Sequence, residues 1–135
     1  MNLKFLAAAA LLLPLGLVAP VRAENPAHVR RLIETKQCQD CDLKGANLVS
    51  AHLTGADLRG ANLQGANLEN ANLEGADLTQ ANLEKANLTG VFANSADLQQ
   101  ADLSSANLRD ANLINANLQD AALDNAILPN NVRWD

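Results

Sequence analysis

The chain has no tyrosine, and its 135 residues hold three aromatic side chains, Phe5, Phe92 and Trp134. A core organised around aromatic anchors is therefore excluded. Histidine and cysteine are equally scarce: His28 and His52, Cys38 and Cys41. No nucleophile can be paired with a base from this set, so neither an enzyme nor a cofactor is expected. Basic residues are outnumbered by acidic ones, 10 to 15, with no phosphate loop and no basic patch, which argues against nucleic acid as a partner. The longest apolar run, Phe5–Ala19, is interrupted by Pro14 and Gly16 and falls short of the roughly 20 residues that span a bilayer.

What the chain does have is one motif, Ala-(Asn/Asp)-Leu-x-x, repeated every five residues from Cys41 to Leu128. Leucine holds the central position from Leu43 to Leu128, with Ala93 as the one break. The small position runs from Ala46 to Ala126, with Cys41 and Val91 as exceptions. A repeat of this kind dictates architecture before any local propensity does. On a helix, about 100° per residue would scatter the leucines around the axis. On a flat strand an odd period would alternate them between faces. The remaining solution bends the backbone by about a right angle per repeat, so that leucine and alanine always point inward. Four repeats then close a square coil of 20 residues, and coils stack at about 4.8 Å. The 18 repeats predict about four and a half coils, a rod roughly 20 Å tall. Large and small residues alternate inside this narrow tube. Six of the seven glycines end a repeat, where the corner lies.

The run ANLQGANLENANLEGADL (residues 61–78) resembles the pentapeptide-repeat family. The resemblance spans 41–128 and implies an all-β solenoid, a right-handed quadrilateral β-helix. It implies little about function, because the family is defined by its scaffold.

The flanks divide the rest of the chain. Residues 1–23 read as a secretory signal, with Lys4, the apolar Phe5–Ala19 and the cleavage-site pattern Val21-Arg22-Ala23. There is neither a twin-arginine pair nor a cleavage-site cysteine, so no lipid anchor is expected once the signal is cut. Residues 24–40 form an N-terminal cap and junction. Asn25-Pro26 is a helix start, and Val29, Leu32 and Ile33 follow at helical spacing, which predicts a short capping α-helix over 25–36. Cys38 and Cys41 fall at the junction, both in inward phase. Zinc, a thioredoxin-type redox pair, two buried thiols and a disulfide compete, and export favours the disulfide. Residues 129–135 depart from the repeat, and Val132 with Trp134 is expected to cover the far end of the core. At Val91-Phe92-Ala93 strict phase points Phe92 outward, whereas a bulge would turn it inward; the sequence leaves both open.

Without residues 1–23 the chain carries 8 basic and 15 acidic residues, a net charge of −7. The repeats hold the excess, 11 acids against Lys44, Arg59, Lys85 and Arg109. Folding modulo 20 stacks Asp57, Asp77 and Asp97 in one column. Carboxylates about 5 Å apart repel by around 1 kcal/mol in water. The bland explanation is that each one bonds local amides; the functional alternative is a weak Ca²⁺ or Mg²⁺ stripe. The side carrying His52, Asn72, Phe92, Asn112 and Ile114 has a single charge, Glu74, and Phe92 with Ile114 is the candidate interaction surface.

The preferred function is a non-enzymatic exported scaffold or interaction module with a protein partner. Its start, NPAHV followed by CQDCDLKGANL, is similar to signal-bearing family members of photosynthetic bacteria and the thylakoid lumen, which implies the periplasm or that lumen. The alternative implied by the resemblance is an acidic DNA mimic acting on an enzyme such as gyrase. Export argues against it, as does the lack of the C-terminal dimerisation helix that those relatives carry.

Overall fold

The structure is a computed structural model and describes residues 24–131. The expectations for the signal segment, and for Val132 and Trp134, fall outside those residues. One helix, α1 (Pro26–Thr35), precedes the repeats. The repeats then pair in parallel at a constant offset of 20 residues, from Gln37 with Asp57 to Asn107 with Ile127.

Inside the stack, a pentapeptide with Asn or Asp at its second position gives every one of its N–H groups a defined partner. The leucine carbonyl accepts from the next small residue, as Leu43 does from Ala46 at 3.0 Å. This closes a four-residue turn whose third residue needs positive φ. Every fifth residue from Asp40 to Asn125 meets that need, with φ between 56° and 66°, although only six of them are glycine. The Asx position donates to the coil on the N-terminal side, as Asn62 N–H does to Cys41 O at 2.8 Å. Leucine and the corner residue donate the other way, Leu43 N–H to Asn62 O and Gly45 N–H to Gln64 O, at 2.7 and 2.9 Å. The fifth N–H belongs to the residue after leucine. It is met from outside the coil by the Asn or Asp side chain two residues back, as in Gln64 N–H to Asn62 Oδ1 at 3.1 Å. Fourteen repeats make this last bond, which explains why the second position is almost always Asn or Asp.

The leucines and small residues fill the interior from Cys38 to Leu113, and no polar side chain is buried among the described residues. Leu118, Leu123 and Leu128 are only partly buried at the far end. The irregular repeat keeps strict phase. Phe92 pairs with Asn72 and Asn112 and points out, half exposed, so the bulge does not form. Val91 and Ala93 are both buried. The repeat has thus exchanged its large and small inward positions, and the bulk of Val91 replaces most of what Ala93 lacks.

The N-terminal end is closed by α1. Asn25 Oδ1 accepts from the N–H groups of Ala27 and His28, Pro26 follows it, and Lys36 ends the helix in the left-handed region. Leu32 is fully buried in the rod's core and Val29 packs against it, while Ile33, expected on the same face, is 44% exposed. The edge of the first coil presents four donors, of Asp42, Asn47, His52 and Asp57; three of them are met, and His52 N–H has no partner among the described residues. Lys36 O takes Asp57 N–H at 2.8 Å, His28 Nδ1 takes Asp42 N–H at 2.8 Å, and Glu24 Oε2 takes Asn47 N–H at 3.3 Å. Cys38 and Cys41 are joined as a disulfide with both residues buried. A four-residue span closes too short a loop to remove much chain entropy, so the bond acts as a local staple.

Two stability measurements test this description. Val91→Ala should cost about 2 kcal/mol in denaturant unfolding, and Ala93→Leu alone should overpack, while the double substitution recovers most of both losses. Gly75→Ala should cost about 1 kcal/mol from its φ of 64° alone, since the added Cβ meets nothing within 4 Å.

Candidate interaction surface

The 20-residue register assigns every outward side chain to one of four sides. The aspartate column forms as expected, through the pairings Asp57–Asp77 and Asp77–Asp97, and continues to Asn117. Each of its three carboxylates has local partners. Arg59 forks onto Asp57, with Nε 2.8 Å from Oδ1 and the guanidinium NH2 2.6 Å from Oδ2, and its Nε lies 3.8 Å from Asp77 Oδ2. Thr79 donates to Asp77 Oδ1 from both its N–H and its hydroxyl. Asp97 Oδ1 accepts from Gln99 N–H and from the Asn117 amide. Arg59 was legible in the sequence, two residues beyond Asp57 on the same side, but only the fork shows that it offsets the repulsion in the column. Among the described residues no group of three or more His, Cys, Asp or Glu side chains is arranged to hold a metal ion.

Asn47, Asn67, Asn87 and Asn107 stack in a column on another side, where Asn87 Nδ2 donates to Asn67 Oδ1 at 3.2 Å, as stacked amides do. On the side of Lys44 and Lys85, a shallow depression lies over Gly45, Gln64 and Gly65, and Lys85 leans toward Glu84 at 3.5 Å. It is too open to enclose a substrate.

The remaining side differs in chemistry. His52, Asn72, Phe92 and Asn112 stack along it, with Thr54, Glu74, Asn94 and Ile114 in the adjoining column. Phe92 is 50% exposed and Ile114 65%, and they are diagonal neighbours one coil apart. Val49 and Ile127, also exposed, sit at opposite ends of a different side.

A further feature of this side is invisible in composition. Four repeats lack Asn or Asp at the second position, having His52, Phe92, Ala122 and Ile127 instead. After Ile127 the residue that would donate is Pro129, which has no N–H. In the other three repeats the N–H groups of Thr54, Asn94 and Asp124 have no partner among the described residues. Two of those three, Thr54 and Asn94, belong to the His52 side. The signal was present in the sequence as two missing Asx residues 40 positions apart. It could be read only once the Asx side chain was known to cover that amide.

The fold these bonds define is a quadrilateral β-helical solenoid, right-handed as in its relatives. The pentapeptide repeats family matches in eight copies at residues 37–75, 56–92, 66–104 and 94–128, and the chain belongs to that family. A solved pentapeptide repeat protein from Nostoc PCC 7120 is 29% identical over 82% of this chain and 88% of its own, with a TM-score of 0.56. A pentapeptide repeat protein from the Arabidopsis thaliana thylakoid lumen is 31% identical over 74% of this chain and 70% of its own, with a TM-score of 0.41. One from the cyanobacterium Cyanothece 51142 is 30% identical over 82% and 99%, with a TM-score of 0.36. No curated protein matches.

Two aspartates set a pH dependence, Asp57 in the column and Asp102 on another side. Hydrogen bonds from the Arg59 side chain hold the Asp57 carboxyl below the usual carboxylate range against an opposing effect of burial, and Ser104 does the same for Asp102. The folded chain therefore binds fewer protons than the unfolded chain at these sites. Their stabilisation is complete above the ordinary carboxylate range and is lost as pH falls through the depressed values. Urea midpoints measured from pH 7 downward should stay level until that range and then drop, with a shallower acid limb in Asp57→Asn.

Proposed function

We propose that this chain is an exported, non-enzymatic scaffold that presents the His52 side of its rod to a protein partner. The rod has about four and a half coils, with residues 24–40 as its N-terminal cap and 129–135 as its C-terminal cap. The observation that carries the reading is the exposure of Phe92 and Ile114 together on the side with one charged residue. An apolar pair on an otherwise polar surface has little reason to persist unless something covers it. The periplasm or thylakoid lumen is the proposed site. The signal pattern of residues 1–23, the Cys38–Cys41 disulfide and the lumenal origin of a 31% identical relative support it.

The fork of Arg59 on Asp57 supports a structural role for the aspartate column, over a cation-binding stripe or a DNA mimic for gyrase. A mimic needs an unbroken line of charge, and here a guanidinium lies across the first two carboxylates of the column.

The test is crosslinking of the tagged protein in its native compartment, beside the Phe92→Ser/Ile114→Ser variant. The defined partner seen with the natural chain should fall to background in the variant while the melting temperature holds. Equal capture by both, or a gyrase subunit among the captured proteins, would overturn the proposal.

A further inference from the structure

The bare amides on the His52 side narrow the chemistry of what binds there. In fourteen repeats the N–H after leucine points out of the rod face and is met by an Asx oxygen lying over that face. At Thr54 and Asn94 the same donors point outward with no such oxygen. They share one column and are separated by two coil steps, about 9.6 Å. Phe92 and Ile114 flank the lower of the two.

A ligand for this surface needs two acceptors about 9.6 Å apart on one face, an apolar portion beside the lower of them and little charge. A β-strand does not supply that spacing, because its carbonyls face the same way at about 6.7 and 13.4 Å. A polyproline-II segment does. With three residues per turn and about 3.1 Å of rise, its carbonyls i and i+3 face the same way about 9.3 Å apart. Such segments have no internal hydrogen bonds, so their carbonyls are free to accept, and they dock on exposed aromatic rings.

We propose that the His52 side binds an uncharged, proline-rich polyproline-II segment of a protein partner. Two of its carbonyls, three residues apart, accept from Thr54 and Asn94 N–H, and its apolar edge lies against Phe92 and Ile114. This rests on the reading of that side as the partner surface and adds the conformation and composition of what it takes. Glu74, between the two donors, is the one charge on the side and disfavours an acidic segment.

The probe is acetylated, amidated decaproline, titrated into the ¹⁵N-labelled protein as the exporting cell releases it. The amide signals of Thr54, Phe92, Asn94 and Ile114 should shift saturably, and those of the other three sides should not. His52→Asn and Phe92→Asn each return an Asx oxygen to one bare amide. Each should weaken decaproline at least tenfold while raising the unfolding midpoint, so that lost binding is separated from lost folding. Unmoved amides, or unchanged affinity in Phe92→Asn, would overturn the proposal. So would equal binding of an alternating Thr-Val decapeptide. Shifts that appear on concentrating the protein alone, with dimer seen by sedimentation, would replace the segment with a second copy of the chain. If decaproline fails while the Phe92→Ser/Ile114→Ser variant still loses its crosslinked partner, the interaction surface stands and the polyproline-II inference falls.

Discussion

The backbone N–H of the residue after leucine is the group on which the regularity of this rod depends. Coil-to-coil pairing and the corner turn satisfy four of the five donors in each repeat that has a coil on both sides, whatever the outward side chains are. The fifth points away from its neighbours and must be met by a side chain. Asn and Asp reach it at 2.9 to 3.3 Å. An unmet donor costs less at a surface than in a core, so the rule tolerates exceptions. The exceptions therefore carry information, as Pro129 shows by removing the donor at a repeat that has Ile127 in place of Asx.

A stack of coils has two ends, and the chain treats the first with three different acceptors. A backbone carbonyl, an imidazole nitrogen and a carboxylate close the donors of Asp57, Asp42 and Asn47, while Leu32 covers the leucine core. One short helix performs both tasks because its residues 28 and 32 are one turn apart and lie on the same face. A helix of 10 residues is marginal by itself, so its order and that of the first coil depend on each other. The disulfide between Cys38 and Cys41 ties the two at their junction.

The proposed function rests on departures from the repeat, since the regular repeat satisfies itself. Phe92 is both an exposed aromatic ring and a missing Asx oxygen, which couples an apolar contact to a free donor two residues on. The aspartate column shows the opposite behaviour. Its charges look exceptional in the sequence, yet the guanidinium of Arg59, the hydroxyl of Thr79 and the amide of Asn117 absorb them locally.

The five-residue period by itself determined the inward leucines, the square coil, the 20-residue register and the side on which each outward residue lies. That follows because a period matching neither helix nor strand admits a single way of burying one stripe. The capping helix was equally legible in Asn25-Pro26, since those residues act on their immediate neighbours. Only the tertiary structure decided that Phe92 stays outward, that Arg59 bridges the column, that His28 and Glu24 meet two donors of the open edge, and that Thr54 and Asn94 keep bare amides. Each of these depends on which groups meet across coils or across the cap, and a period records where residues point without recording what they touch.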